Sequence, residues 1–183
     1  MQLYSLDQPL PATLSVQEAL EVYLNENGFT IEEYDLDAVN VTFWGFTFSL
    51  PNPPARKIAV RFHDLHHLMT GYGTDPVGEG EISAWELRKG IRVFGIYVQL
   101  IIFFGTLLGL IHSPCRVWRA WKASKSSQRL PSISLERYQY LLTLDLGQLR
   151  ELYGVPTAGI AGRRTLNENA PPRADHLDQS NPN

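Results

Sequence analysis

A run of nineteen residues without a charge, Val93 to Ile111, constrains the fold of this chain more than any other feature. As an α-helix it would be about 28 Å long, close to the ~30 Å hydrocarbon thickness of a membrane. Five residues fall on one side of that helix, all small or polar except Ile102: Gly95, Gln99, Ile102, Thr106 and Gly109. Such a face lets another helix approach closely. The run therefore either spans a membrane or packs as an apolar helix on a helical domain.

A basic segment, residues 115–129, follows the apolar run. It holds five cations and no acid, with two tryptophans between them: Arg116, Arg119, Lys122, Lys125 and Arg129 with Trp118 and Trp121. This composition is typical of a membrane–water interface, although a solvated helix behind a buried one remains an alternative. The adjacent apolar run argues against nucleic acid, so we expect membrane lipid as the partner. The residues expected to contact lipid are Phe94, Ile101, Phe104, Leu108, Trp118 and Trp121.

The flanks of the apolar run favour surface attachment over a span. Arg88, Lys89 and Arg92 precede it and the five cations follow it, whereas the positive-inside rule requires one flank poor in cations. Residues 1–15 contain no basic stretch followed by an apolar core, so they predict neither a secretory signal nor a transit peptide. We therefore expect peripheral or monotopic attachment at the cytoplasmic face of a bacterial-type membrane.

Capping signals predict a mainly α-helical fold with one small β-hairpin. Capping boxes at Ser15–Glu18 and Asp145–Gln148 each predict a helix start. Apolar and polar residues alternate over 39–50, which predicts the hairpin. The length of 183 residues suits one domain, which we assign to residues 1–164, with the polar residues 165–183 as a disordered tail.

The stretch "HDLHHLMTGYGTDPVGE", His63 to Glu79, is a candidate metal site. His63 and His67 are four residues apart and share a helix face, and Asp64 is either a third ligand or an acceptor that orients an imidazole. We predict antiparallel helices over 55–70 and 76–90, the second of which can extend toward Leu110. Glu79 then starts the second helix close to His67. Two imidazoles and one or two carboxylates suit Zn²⁺, Mn²⁺, Fe²⁺ or Co²⁺, whereas His66 is expected to be structural.

This stretch has the pattern His-Asp-x-x-His, followed by eleven residues and then Glu, and it ends in "MTGYGTDPVGE". The pattern resembles the signature of the coenzyme Q (ubiquinone) biosynthesis family called Coq four. The resemblance covers about residues 50–90. It implies a helical fold, a membrane carrying polyprenylated quinone precursors, and a divalent ion, often taken as zinc. The ligands it implies are His63, Asp64, His67 and Glu79. It also implies organisation of the biosynthetic complex, or oxidative decarboxylation at the ring carbon that bears the carboxyl group.

The leading hypothesis is a membrane-associated metalloprotein that acts as a Lewis acid on a prenylated aromatic carboxylate. Arg61 is a candidate partner of the substrate carboxylate, with an ordinary surface arginine as the alternative. The second hypothesis is a non-catalytic lipid- or quinone-binding scaffold with a structural metal, which four protein ligands would favour. A metal-dependent hydrolase would need further ligands. Other biosynthetic proteins or a second copy of the chain are the remaining candidate partners.

Overall fold

The computed structural model describes residues 10–43, 46–124 and 129–161. Within these ranges the protein is mainly α-helical with one two-stranded antiparallel sheet, which confirms the predicted fold class. The elements are α1 (Val16–Asn27), β1 (Ala38–Phe43), β2 (Phe46–Pro51), α2 (Pro54–Thr70), α3 (Pro76–Lys89), α4 (Ile96–His112), α5 (Pro114–Ala123), α6 (Leu135–Leu142) and α7 (Leu146–Leu152). Short 3₁₀ turns lie at Ile31–Asp35 and Ile91–Val93. The predicted tail, 165–183, and Lys125 of the basic segment lie outside the described residues.

The predicted capping residues set the ends of α1 and α7. The Ser15 hydroxyl accepts from the Glu18 amide while the Glu18 carboxylate accepts from the Ser15 amide, and Gly28 closes α1 with a φ of 71°. Asp145 and Gln148 make the same reciprocal pair at the start of α7. These bonds satisfy backbone groups that a helix end leaves without partners.

The β-hairpin lies where the alternating pattern predicts it. Its strands pair antiparallel with Val39 opposite Leu50 and Thr42 opposite Thr47. The Tyr97 hydroxyl donates to the Pro51 carbonyl at 3.3 Å, which ties the end of β2 to the first turn of α4.

The apolar run forms a helix that folds back on α3. Gly90, with φ 100° and ψ 101°, ends α3 near the predicted bound of 90, so the helix does not continue toward Leu110. The predicted small face of α4 packs against α3, and a Cβ added to Gly109 would lie only 2.5 Å from the Gly80 Cα. Ile102 and Thr106 are buried on the same face. Among the described residues, no helix combines the length and apolar character needed to cross a membrane.

The residues predicted to contact lipid divide into exposed and covered ones. Phe94 is only 3% exposed and belongs to the core, so it is not available to lipid. Leu108 is half-buried, and Trp121 is half-buried with the Arg88 guanidinium 4.9 Å from its ring centre. Those that remain exposed are Ile101, Phe104 and Trp118. The lipid prediction therefore now concerns Ile101 and Phe104 on the outer face of α4 and Trp118 of α5.

Arg150 of α7 fixes the end of α2 that carries the histidines. The side chain is 2% exposed, and its guanidinium donates to the Leu68 and Met69 carbonyls in the last turn of that helix. It also donates to the carbonyls of Leu10 and Thr157. One buried cation thus satisfies carbonyls from three parts of the chain.

Candidate metal centre

The start of α3 brings Glu79 to the histidine face of α2. Gly71 ends α2 with a φ of 76°, and the chain turns directly into α3. The Asp75 side chain caps α3 by accepting from the amides of Val77 and Gly78 at 2.9 and 3.2 Å. Glu79 therefore stands in the first turn of α3, where the helix dipole favours a carboxylate.

Three side chains converge between α2 and α3 and form a group that can hold a metal ion: His63, His67 and Glu79. The two histidine Nε2 atoms are 3.1 Å apart. Glu79 Oε2 lies 3.3 Å from His63 Nε2, and Glu79 Oε1 lies 3.4 Å from His67 Nε2. A tetrahedral zinc ion with bonds of about 2.0–2.1 Å would hold its ligand atoms about 3.3 Å apart. The three spacings fit such an ion.

The orientation of both imidazoles also fits a cation. His67 Nδ1 lies 3.0 Å from the Tyr72 carbonyl, which can only accept, so Nδ1 carries the proton and Nε2 keeps its lone pair. His63 Nδ1 lies 3.0 Å from Glu86 Oε1, which favours the same tautomer. Two lone pairs that face each other at 3.1 Å repel unless a proton or a metal ion lies beside them.

The charges around the group favour an anionic Glu79 and a cation at His63. Burial alone would raise the pKa of Glu79, but His67 and His63 together hold it below its usual range. Burial would lower the pKa of His63, but Glu86 and Glu79 outweigh it and raise that pKa well above 6.5. The His67 side chain is 1% exposed, whereas that of His63 is 23% and that of Glu79 is 42% exposed. The group is therefore open to solvent on the His63–Glu79 side.

Asp64 is not part of this group. Its carboxylate accepts from the Tyr23 hydroxyl at 3.3 Å and from the Tyr34 hydroxyl at shorter range, so it faces α1 and the first 3₁₀ turn. Neighbouring residues on a helix point about 100° apart, which is why Asp64 does not share the face of His63 and His67. The structure thus assigns Asp64 neither of its predicted roles, because both of its oxygens face tyrosines rather than the ligand atoms or an imidazole.

Arg61 is engaged within the chain. One guanidinium nitrogen lies 2.9 and 3.0 Å from the two carboxylate oxygens of Asp35, and another donates to the Lys57 carbonyl at 2.7 Å. The guanidinium also covers the Tyr34 ring at 4.8 Å, and the side chain is 12% exposed. A substrate carboxylate would have to displace Asp35, so the predicted role of Arg61 has no support in this arrangement.

A comparison of the chain with family models, curated proteins and solved structures finds no match. The resemblance to Coq four therefore rests on the motif from His63 to Glu79.

Sequence reasoning missed Glu86. It is fully buried, and its Oε1 accepts from His63 Nδ1 at 3.0 Å and from His66 Nδ1 at 2.6 Å. The sequence did hold a signal, because Glu86 follows Glu79 by seven residues and so repeats its helix face after two turns. His66 lies outside the group of ligand atoms and ties α2 to α3 through the same carboxylate.

Proposed function

We propose that this protein is a membrane-associated metalloprotein of ubiquinone biosynthesis and a divergent relative of Coq four. Its substrate class would be a prenylated aromatic carboxylate. The observation that carries the proposal is the convergence of His63, His67 and Glu79 without Asp64. Catalytic zinc sites combine three protein ligands with one open position, whereas structural sites are closed by four.

Zinc is the cation we propose first, with manganese, iron and cobalt as alternatives. Two imidazoles with one carboxylate are donors that all four ions accept. When bound, such an ion acts as a Lewis acid that polarises a carboxylate or carbonyl oxygen.

The residues of the chain have separate parts in this proposal. His67, held by the Tyr72 carbonyl and with its ring centre 5.8 Å from that of Tyr23, fixes the buried side of the site. His63 and Glu79 line the side that solvent and substrate reach. Burial of one imidazole keeps the site rigid, while exposure of the carboxylate leaves room for an incoming ligand.

We propose that the apolar outer face of α4 and the cations of α5 attach the protein to a membrane as a peripheral or monotopic protein, at its cytoplasmic face. The support is that Ile101 and Phe104 of α4 are exposed to solvent, as are Trp118 and Lys122 of α5, the next helix. A prenylated substrate dissolved in that membrane would then be close to the chain. The same surface also supports the scaffold hypothesis, in which lipid binding is the function and the metal is structural.

Metal analysis of the purified full chain tests the site. The wild type and Asp64→Asn are expected to hold one ion per chain, while His67→Ala and Glu79→Ala lose it, because only the latter remove a ligand. Circular dichroism confirms that each variant is folded. Equal metal content in all four proteins would reject the site, and loss in Asp64→Asn alone would reject the three-ligand assignment.

A cellular test asks whether the protein acts in ubiquinone biosynthesis and whether that role needs the metal site. In a host that lacks this gene, mass spectrometry should find less ubiquinone and an accumulated prenylated aromatic carboxylate. The wild-type gene should restore ubiquinone and Glu79→Ala should not. An unchanged quinone content would reject the role in ubiquinone biosynthesis, whereas rescue by Glu79→Ala would show that this role does not need the metal site.

A further inference from the structure

We infer that Glu86 is a positioning residue of the metal centre, which holds the His63 imidazole so that Nε2 faces the ion. The inference rests on the metal binding proposed above and deepens it. Nothing in the metal motif includes Glu86, which lies seven residues beyond the motif's last residue.

The contacts of Glu86 define this role. The carboxylate is fully buried in α3, and its Oε1 accepts from His63 Nδ1 at 3.0 Å. On the other side of the same ring, Nε2 lies 3.1 Å from His67 Nε2 and 3.3 Å from Glu79. A carboxylate behind a metal-bound imidazole fixes its tautomer and makes the ring a stronger donor.

The alternative is that Glu86 only joins α2 to α3 through His66. His66 Nδ1 donates to the same oxygen at 2.6 Å, so this tie exists as well. A hydrogen bond between two helices, however, needs no charged acceptor. Within the described chain, Glu86 Oε2 is left without a hydrogen-bond partner. A buried carboxylate with one unsatisfied oxygen is costly, so a neutral side chain would serve a purely structural role better.

Glu81 provides a matched control on the same helix. It is also fully buried, and it pairs with Arg116 of α5 at 2.7 Å. It therefore belongs to the contact of α3 with α5, whereas Glu86 belongs to the contact of α3 with α2. Glu81→Gln and Glu86→Gln each replace one buried carboxylate by an amide of the same shape.

The experiment measures zinc affinity of the full chain by competition with a chromogenic chelator. Glu86→Gln should bind zinc about 10- to 100-fold more weakly than the wild type, and Glu81→Gln within about twofold of it. Thermal melting of the metal-free proteins measures the stability that each change removes. Equal zinc affinity in the wild type and Glu86→Gln would overturn the inference, as would equal weakening in both variants.

A second measurement needs no variant. In the zinc-loaded wild type, ¹⁵N NMR of the imidazoles should show His63 bound through Nε2 with a proton on Nδ1. Binding through Nδ1 would overturn the role of Glu86 even if Glu86→Gln does not fold. A wild-type chain that binds no zinc or other divalent ion would instead reject the proposed function, and the inference with it. If the Glu86 tests fail while the wild-type chain binds zinc, only the inference about Glu86 is rejected and the proposed function is retained.

Discussion

At the residue scale, the imidazole of His63 is the place where a proton and a metal ion would compete in the proposed site. Glu86 and Glu79 outweigh burial and raise the pKa of His63 well above 6.5, so in the metal-free protein Nε2 of this ring is expected to carry a proton in addition to the one on Nδ1 at neutral pH. A metal ion must displace that proton. We therefore expect zinc affinity to rise with pH below this raised pKa, on the order of tenfold per pH unit for one displaced proton.

Zinc titrations in buffers of different ionisation enthalpy check this expectation, because they count the protons released. Glu79 should release none, since the histidines hold its pKa below the usual range. Release of about one proton per ion near neutral pH is the expected result. A zinc affinity that does not change with pH would contradict it.

Local spacing predicted three of the site residues, and distant contacts decided the others. His63 and His67 follow from the helical repeat, and Glu79 follows from a short connector that ends in a capped helix. The orientation of Asp64 depends on Tyr23 and Tyr34, which are 41 and 30 residues away along the chain. No spacing rule within the motif contains that information. The pairing of Arg61 with Asp35 was missed for the same reason.

At the element scale, the crossing of α3 and α4 connects the apolar helix to the candidate metal centre. Gly80, the residue after Glu79, lies against Gly109, and a Cβ at Gly80 would be 2.4 Å from the Gly109 Cα. Backbone cannot yield as a flexible side chain can, so Gly80→Ala must separate the helices. We expect a loss of about 1–3 kcal/mol in the free energy of unfolding. Zinc affinity should fall as well, because Glu79 moves with the first turn of α3.

Denaturant unfolding and chelator competition measure the two effects of Gly80→Ala. Gly95→Ala is the control, since among the described residues its Cβ would meet only the Ala55 Cβ at 3.6 Å, an ordinary contact. If Gly80→Ala leaves both stability and zinc affinity at the Gly95→Ala level, the crossing does not position Glu79.

Helix starts were predictable where a side chain caps the first turn of its own helix, as Ser15 and Asp145 do in their capping boxes. The break at Gly90 was only one of two predicted outcomes, beside a continuation toward Leu110, and this residue ends α3 with an unusual backbone conformation. Its reason is tertiary, because the chain has to reverse so that Gly105 and Gly109 can pack on α3. The small face of the apolar run was recognised in the sequence, but its partner helix was not.

At the scale of the whole molecule, the described chain exposes an apolar face on α4 and cations on α5, the helix that follows. The outer face of α4 is formed by Ile96, Leu100, Ile101, Phe103, Phe104, Leu107, Leu110 and Ile111, with exposed fractions from 37% to 74%. A contiguous surface of this kind marks contact with a membrane or another protein. Trp118, 53% exposed, lies in the next helix beside the exposed cations Arg119 and Lys122. Exposed cations of this kind suit anionic lipid headgroups.

We therefore expect the full chain to sediment with vesicles that contain anionic lipid, and less with neutral vesicles or in high salt, because salt screens the cations. Leu100→Asp and Phe104→Asp should each release the protein, since a charge on this face opposes burial in the acyl region. Ile31→Asp is the matched control, because Ile31 is 52% exposed on a different element. Equal sedimentation of Phe104→Asp and Ile31→Asp would contradict membrane attachment through α4. If these charges instead abolish a concentration-dependent dimer that forms without vesicles, the face binds a second copy of the chain.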